Sequence, residues 1–171
     1  MTGQKVLYQT PFHHKDVHKC EAVVLCCIDF RFWRETMNFV ESYFKIKSYD
    51  FPKLPGSAKA IIESKGEDLA SSCVEVPCNL HKVDKIILVN HEDCGAYGGS
   101  KPFQGDKEAE QEFHEKELAR AFRVIKSQHP DKEIHTIYAR LNRQNTEIEF
   151  VKVEAEKISL EEDDRKISQA A

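Results

Sequence analysis

Three residues that bind soft metal ions lie near the ends of two apolar runs of the sequence. His91 and Cys94 are separated by two residues after one run, and Cys27 lies close to the end of the other. The His-x-x-Cys spacing allows both side chains to reach one ion from a loop, as paired ligands do in many zinc sites. We therefore predict that Cys27, His91 and Cys94 bind one metal ion, with Cys27 supplied by a neighbouring strand.

A ligand set of two thiolates and one imidazole favours tetrahedral Zn2+ and leaves the fourth position for water or substrate. Zinc lowers the pKa of a bound water from ~15.7 to ~7 in the best-known case. Because two thiolates neutralise the charge of the ion, we expect the pKa of the bound water to be lowered less here. The pH of maximal activity should therefore be more alkaline. The alternative is that all three are ordinary buried or loop residues without a metal.

A carboxylate and a guanidinium follow Cys27 at every second position, as Asp29 and Arg31. If the backbone stays extended, all three side chains point to the same side. Asp29 is then able to accept a hydrogen bond from the water or hydroxide on the metal, while Arg31 holds Asp29 ionised and turned away from the ion. If the pair breaks, Asp29 can fill the fourth position itself. The alternative is an ordinary ion pair that caps the strand.

Strands must deliver both motifs, and five segments are predicted as strands. They are residues 22–28, 46–51, 85–90, 134–141 and 148–153. The first and third are apolar on both faces, which is typical of buried strands in a parallel sheet. The last two alternate in polarity and are joined by a polar turn at residues 142–145, which predicts a hairpin.

Helices are predicted between these strands, over residues 32–45, 58–81 and 107–128. Gly66 and Pro77 are expected to interrupt the second of them. Alternating strands and helices imply an α/β fold, with a mostly parallel central sheet flanked by helices and an antiparallel edge strand near the C-terminus. In such sheets ligands bind beyond the carboxyl ends of the strands, which is where both motifs lie.

The size and charge of the chain restrict its partners. We expect one domain over residues 1–171, with an N-terminal arm or irregular helix at 1–21 and a charged tail at 154–171, whose acidic run 161–164 is a solvated face or a frayed end. The net charge of −4 and the pI near 6.1 give no reason to bind nucleic acid or an anionic membrane. No apolar run approaches the ~20 residues of a spanning helix, and the polar N-terminus does not resemble a secretory signal, so we predict the cytoplasm.

The two motifs together resemble the paired signature of the β-class carbonic anhydrases. They read Cys-Ile-Asp-Phe-Arg at residues 27–31 and His-Glu-Asp-Cys-Gly at residues 91–95. The resemblance spans most of the chain and includes the glycine turn at Gly56, the apolar strand before His91 and the closing strands of residues 137–151.

This resemblance implies a zinc lyase that interconverts carbon dioxide and bicarbonate. It implies Cys27, His91 and Cys94 as ligands and the pair of Asp29 and Arg31 as the catalytic dyad. It also implies a homodimer or a dimer-based oligomer.

One segment departs from the pattern of that family. Where the family usually has Arg-Asn-Ala-Gly after its second strand, residues 53–56 are Lys-Leu-Pro-Gly. The glycine is kept, but the polar loop is not. Two other functions therefore stay open: hydrolysis of a small electrophile such as carbonyl sulfide or carbon disulfide at the same metal, and a catalytically silent zinc domain in which Asp29 permanently fills the fourth position.

The remaining cysteines and histidines are given no role in the reaction. Cys26 is expected to face away from Cys27 as a small buried residue, and Cys73 and Cys78 are expected to pack in helices or loops. Cys20 has no histidine at a persuasive spacing in the sequence. No proton shuttle is assigned among the other histidines. Tyr97 either lines the site or is a packed ring.

Overall fold

A five-stranded sheet forms the centre of the computed structural model, which describes residues 5–13 and 17–160. Its strands are β1 (Ala22–Leu25), β2 (Tyr49–Asp50), β3 (Lys85–His91), β4 (Glu133–Leu141) and β5 (Ile148–Val153), in the spatial order β2-β1-β3-β4-β5. All neighbours are parallel except β4 and β5, which form an antiparallel pair. The predicted fold class, including the antiparallel edge strand, is therefore confirmed.

Within the described residues, four α-helices flank this sheet. They are α1 (Trp33–Phe39), which continues as a π-helical turn over Val40–Phe44, and then α2 (Ala58–Glu63), α3 (Leu69–Asn79) and α4 (Lys107–Gln128). Aspartates begin the last two: Asp68 accepts a hydrogen bond from the Ser71 N–H, and Asp106 accepts from the N–H groups of Glu108 and Ala109. Such side chains satisfy backbone donors that the first helical turn leaves unpaired.

Pro77 does not interrupt the second predicted helix, and this expectation is wrong. The break falls at residues 64–68, around Gly66 with its φ of +88°, whereas Pro77 lies inside α3 and is buried. Proline removes one backbone hydrogen bond from a helix. Here that loss falls near the end of α3, two residues before the helix stops at Asn79, and the buried ring adds apolar contact.

The first strand is shorter than predicted. It ends at Leu25, Cys26 makes only an isolated bridge to Lys53, and a turn begins at Phe30. The Asp29 carbonyl accepts hydrogen bonds from the N–H groups of Phe32 and Trp33, so the chain is already curling towards α1. The extended backbone that would align residues 27, 29 and 31 by alternation is therefore absent.

Two apolar layers cover the two faces of the sheet. Val23, Leu25, Ile86 and Leu88 pack on the side of α2, α3 and α4, whereas Ala22, Val24, Cys26, Ile87 and Val89 pack on the side of α1. This alternation explains why residues 22–25 and 86–89 are apolar on both faces of the sheet. Cys26 is buried on the α1 side, as expected, and Cys73 and Cys78 pack in the other layer.

Both ends of the described chain are irregular. Residues 5–13 and 17–20, which belong to the segment predicted as an arm or irregular helix, contain neither helix nor strand. Near the other end, a 3-10 turn at Ala155–Lys157 buries Ala155 against Ala119 and Phe122 of α4, so the segment from residue 154 begins as packed structure. The acidic run 161–164 lies outside the described residues. Within those residues, no helix is long and apolar enough to cross a membrane.

Candidate metal centre

The structure brings Cys27, His91 and Cys94 together at the carboxyl ends of β1 and β3. These strands are parallel neighbours; His91 is the last residue of β3, and Cys27 lies two residues beyond β1. One sulfur or nitrogen atom from each side chain lies within 4.8 Å of the other two, and all three residues are buried. The predicted convergence of the two motifs is therefore present, although a turn and not an extended strand produces it.

The two sulfurs are spaced as tetrahedral zinc requires. Cys27 Sγ and Cys94 Sγ are 3.8 Å apart. Two thiolates at the usual Zn–S distance of ~2.3 Å and a tetrahedral angle are separated by about 3.8 Å. The pair therefore needs no rearrangement to bind such an ion.

The His91 ring is oriented so that its other nitrogen faces the sulfurs. Its Nδ1 lies 2.7 Å from the Glu92 carbonyl oxygen, which can only accept, so Nδ1 carries the proton. Phe32 stacks on the ring at 4.3 Å between centroids. His91 Nε2 is buried and has no hydrogen-bond partner. A buried acceptor without a partner is costly, and a metal ion would satisfy it.

The electrostatics of the two thiols favour one negative charge between them. The hydrogen bond from Cys94, together with the backbone N–H groups of Gly56 and Asp29, lowers the pKa of the Cys27 thiol. The pKa of Cys94 is raised, chiefly by its hydrogen bond to Cys27 and by burial. A cation would favour both thiolates, because metal binding displaces thiol protons.

Asp29 and Arg31 form a two-pronged ion pair beside the three candidate ligands. Arg31 Nε donates to Asp29 Oδ1 at 3.0 Å, and Arg31 Nη2 donates to Asp29 Oδ2 at 2.6 Å. Hydrogen bonding to Arg31 lowers the pKa of the Asp29 carboxyl. Asp29 Oδ2 also lies 4.0 Å from His91 Nε2, so an ionised acceptor faces the candidate ligand atoms.

Asp93 is a site residue that sequence reasoning missed. Arg31 Nη1 donates to Asp93 Oδ2 at 2.9 Å, and Arg31 Nη2 donates to the Asp93 carbonyl at 3.0 Å. Asp93 has a φ of +54°, which aspartate tolerates better than most residues, and its N–H donates to Glu110. Its position between His91 and Cys94 was the available signal, since a tight turn there must carry a left-handed residue.

Asn90 anchors the end of β3 from inside the core. Its Oδ1 accepts from the Ala58 N–H at 3.1 Å, and its Nδ2 donates to His114 Nδ1 at 3.2 Å and to the Tyr97 hydroxyl at 3.5 Å. Tyr97 is buried and packs with Cys27 and Cys94, so it is a packed ring that also borders the site. We call Asn90 a hub because it makes hydrogen bonds to three other residues. The apolar pattern of a strand does not predict such a residue, because a single polar side chain looks like an interruption of that pattern.

The segment of residues 53–56, which departs from the family pattern, holds the loop that carries Cys94. Leu54 is buried in the core, and the ammonium of Lys53 lies 4.3 Å from the centre of the Trp33 ring. Gly56 has a φ of +71°, and a Cβ there would lie 3.0 Å from the Ala96 Cβ. The glycine is therefore required by the close approach of these two loops.

Comparison with known proteins shows the family to which the chain belongs. The family model described as "Putative carbonic anhydrase" matches residues 17–152. That match covers most of the chain and includes every residue of the candidate centre. The chain belongs to this carbonic anhydrase family, as the two motifs suggested.

Other proteins are similar to this chain in sequence or in fold. Uncharacterized proteins of Rickettsia bellii and Rickettsia conorii are each 28% identical to the chain, over 72% of its length and over 79% and 69% of theirs. A β-carbonic anhydrase of Trichomonas vaginalis shares the fold with a TM-score of 0.56 at 13% identity, over 84% of this chain and 87% of that one. Tetrameric β-carbonic anhydrases of Sordaria macrospora match with a TM-score of 0.55 at 14% identity, over 78% and 81% of the chains. At these identities the solved structures establish the fold alone.

Proposed function

We propose that the chain catalyses the reversible hydration of carbon dioxide to bicarbonate, with zinc held by Cys27, His91 and Cys94. One observation carries this proposal. Two sulfurs at 3.8 Å and an unpartnered buried imidazole nitrogen converge beside an ionised carboxylate. Zinc in such a site acts as a Lewis acid and lowers the pKa of water.

Asp29 positions the attacking water in this proposal. Its Oδ2 accepts a hydrogen bond from the water, whose oxygen bonds to the carbon of carbon dioxide while one proton leaves to solvent. Arg31 hydrogen-bonds both carboxylate oxygens, which keeps Asp29 an acceptor and restrains it from turning onto the metal ligands. Asp29 and Arg31 are thus proposed as the catalytic pair, with the acceptor role on the carboxylate.

Stopped-flow measurement of carbon dioxide hydration on protein of known zinc content tests the proposal. We expect activity that rises with pH from about pH 6.5 to 9, and loss of both zinc and activity in Cys94→Ser. Cys73→Ser is the matched control, because Cys73 is a partly buried cysteine of α3 outside the site. Full activity in zinc-free protein would overturn the proposal.

Carbon dioxide hydration, measured together with sulfide release and zinc content, separates the two other functions. Sulfide release from carbonyl sulfide, with poor hydration of carbon dioxide, would assign the site to hydrolysis of that substrate. Zinc at full occupancy with no activity across this pH range would favour a silent domain. The three hydrogen bonds from Arg31 side-chain nitrogens to Asp29 argue against the silent domain, because they hold Asp29 away from the fourth position of the zinc.

We further propose a homodimer or a dimer-based oligomer in the cytoplasm. Phe30 and Ile28, next to the candidate centre, are 81% and 55% exposed, which is unusual for large apolar side chains beside a buried site. The Sordaria macrospora enzymes, which share the fold, are described as tetrameric. Light scattering on the purified protein tests the assembly, and a monomer at micromolar concentration would contradict it.

A further inference from the structure

A second cluster of metal-binding side chains lies at the other end of β1 from the candidate metal centre. Cys20, Asp50 and His81 come from three separate parts of the chain, and their donor atoms all lie within 4.8 Å of one another. Cys20 precedes β1, Asp50 ends β2, and His81 follows α3. Since β1 has four residues at ~3.3 Å each, about 13 Å of strand separates this cluster from the first site.

Backbone contacts hold the three residues in place independently of their side chains. The Cys20 N–H donates to the His81 carbonyl at 3.2 Å. Asp50 is fixed by the parallel pairing of β2 with β1, in which Val23 is its partner. The juxtaposition is therefore built into the fold and does not depend on one flexible side chain.

One donor distance fits a tetrahedral zinc site, and a second is shorter than such a site requires. Cys20 Sγ lies 3.6 Å from Asp50 Oδ2, which is the separation of about 3.6 Å expected for sulfur and oxygen ligands of one ion. His81 Nδ1 lies 2.6 Å from the same oxygen, about 0.7 Å closer than nitrogen and oxygen ligands of one ion. The side chains of His81 and Asp50 are about 30% exposed, so a small rotation opens this contact without disturbing the core.

The cluster also offers two ligands that can carry negative charge. The Cys20 sulfur faces the Asp50 carboxylate, and a divalent ion that displaces the thiol proton would neutralise both. A thiolate, an imidazole and a carboxylate together suit zinc better than calcium or magnesium, which prefer oxygen ligands alone.

A groove gives an ion access to these side chains. Its volume is about 420 Å³, and Cys20, Asp50 and His81 all line it. His18 lines the same groove, two residues before Cys20. Water can occupy the fourth position of the ion.

We propose that Cys20, Asp50 and His81 form a second zinc site, separate from the proposed catalytic one. The ion would clip the segment before β1 to β2 and to the loop after α3. Its role would be structural, because it would connect the segment before β1 to the edge strand β2. The ordinary alternative is an Asp50–His81 ion pair with an adjacent thiol that binds no metal.

Metal titration of chelator-treated full-length protein tests this site. With Zn2+ followed by elemental analysis after desalting, we expect two equivalents per chain for the wild type and one for Cys20→Ser. With Co2+ as a spectroscopic probe, the second equivalent should add thiolate-to-cobalt charge-transfer absorption to that of Cys27 and Cys94, and this addition should be absent in Cys20→Ser. His81→Gln should lose the same equivalent, which guards against a folding defect peculiar to one variant.

The controls distinguish this site from the proposed catalytic centre. Cys73→Ser should keep both equivalents, and Cys94→Ser should lose only the other one, so the two losses are independent. Carbon dioxide hydration should be unchanged in Cys20→Ser, whatever the outcome for the proposed function. One equivalent in the wild type that survives in Cys20→Ser, or two equivalents that both survive, would overturn the proposal.

Discussion

Arg31 bridges Asp29 and Asp93 with one guanidinium group. It donates to both carboxylate oxygens of Asp29 and, from its other edge, to the side chain and the carbonyl of Asp93. Asp29 lies two residues after Cys27 of the first motif, and Asp93 lies between the two candidate ligands of the second motif. The arginine thus joins the two loops that carry the candidate metal ligands, in addition to orienting Asp29.

Arg31→Lys should separate the charge of Arg31 from its shape. An ammonium group keeps the positive charge but lacks the planar fork that reaches two partners at once. We expect kcat/KM for carbon dioxide hydration to fall on the order of 10–100-fold, while zinc content stays unchanged. Arg34→Lys is the control, because Arg34 is exposed and stacks only on Trp33. Wild-type activity in Arg31→Lys would show that the bridge has no role in the reaction.

Gly99→Ala should disturb Asp93 through a direct clash. A Cβ at Gly99 would lie 2.8 Å from Asp93 Oδ1, at a position whose φ is +69°. Asp93 would have to move, and with it the contact to Arg31. We expect a loss of about 1–3 kcal/mol in the free energy of unfolding together with reduced activity.

Gly66→Ala is the matched control for this effect. Gly66 also has a positive φ, of +88°, but a Cβ there has no neighbour within 4 Å. This variant should lose about 1–2 kcal/mol from backbone strain alone and keep full activity. Equal losses of activity in both variants would mean that strain, and not the displacement of Asp93, is responsible.

The order of helices and strands and the convergence of the two motifs could be predicted from sequence, because the periodicity of apolar residues indicates each element. Helix α4 and the β4–β5 hairpin have the predicted bounds to within one residue. The end of β1 could not be placed, because the apolar pattern continues through Ile28 although the backbone turns there. Apolar residues are compatible with a strand and equally with a buried turn.

The sequence predicts the candidate ligands of the metal centre better than the residues that support them. Asn90, His114 and Asp93 contribute through contacts with residues distant in sequence, such as Ala58 and Arg31. The same holds for Cys20, whose neighbours Asp50 and His81 are 30 and 61 residues away. Spacing along the chain detects ligands that share a loop, but only the fold reveals side chains that meet across elements.

Asn90→Ala should destabilise the protein through its buried hydrogen bonds. The change leaves the Ala58 N–H and the His114 ring without their partner inside the core. Unpaired buried donors and acceptors cost about 1–3 kcal/mol each, so we expect a loss of roughly 2–4 kcal/mol in urea unfolding. Asn38→Ala, on the exposed face of α1, should change stability by less than about 0.5 kcal/mol. Similar losses for both variants would contradict the role of Asn90 as a hub.

His114 should make the folded state sensitive to acid. Burial, with a smaller contribution from His91, lowers the pKa of this imidazole from 6.5 to about 3. Between these two values the unfolded chain binds a proton that the folded chain does not bind, so stability is lost as pH falls below about 6.5 and the loss is complete near pH 3. At pH 5 the difference amounts to about 2 kcal/mol.

Unfolding by urea at pH 7.5 and pH 5 checks this prediction in His114→Gln, which removes the titrating group and keeps a polar side chain. The variant should be less stable than the wild type at pH 7.5 but should lose about 2 kcal/mol less on acidification. His13→Gln is the control, since His13 is exposed in the N-terminal arm and its removal should leave the pH dependence unchanged. All measurements use chelator-treated protein, because acid also releases bound metal and would add a second pH-dependent loss. An unchanged pH dependence in His114→Gln would show that the buried ring is not the source of the acid sensitivity.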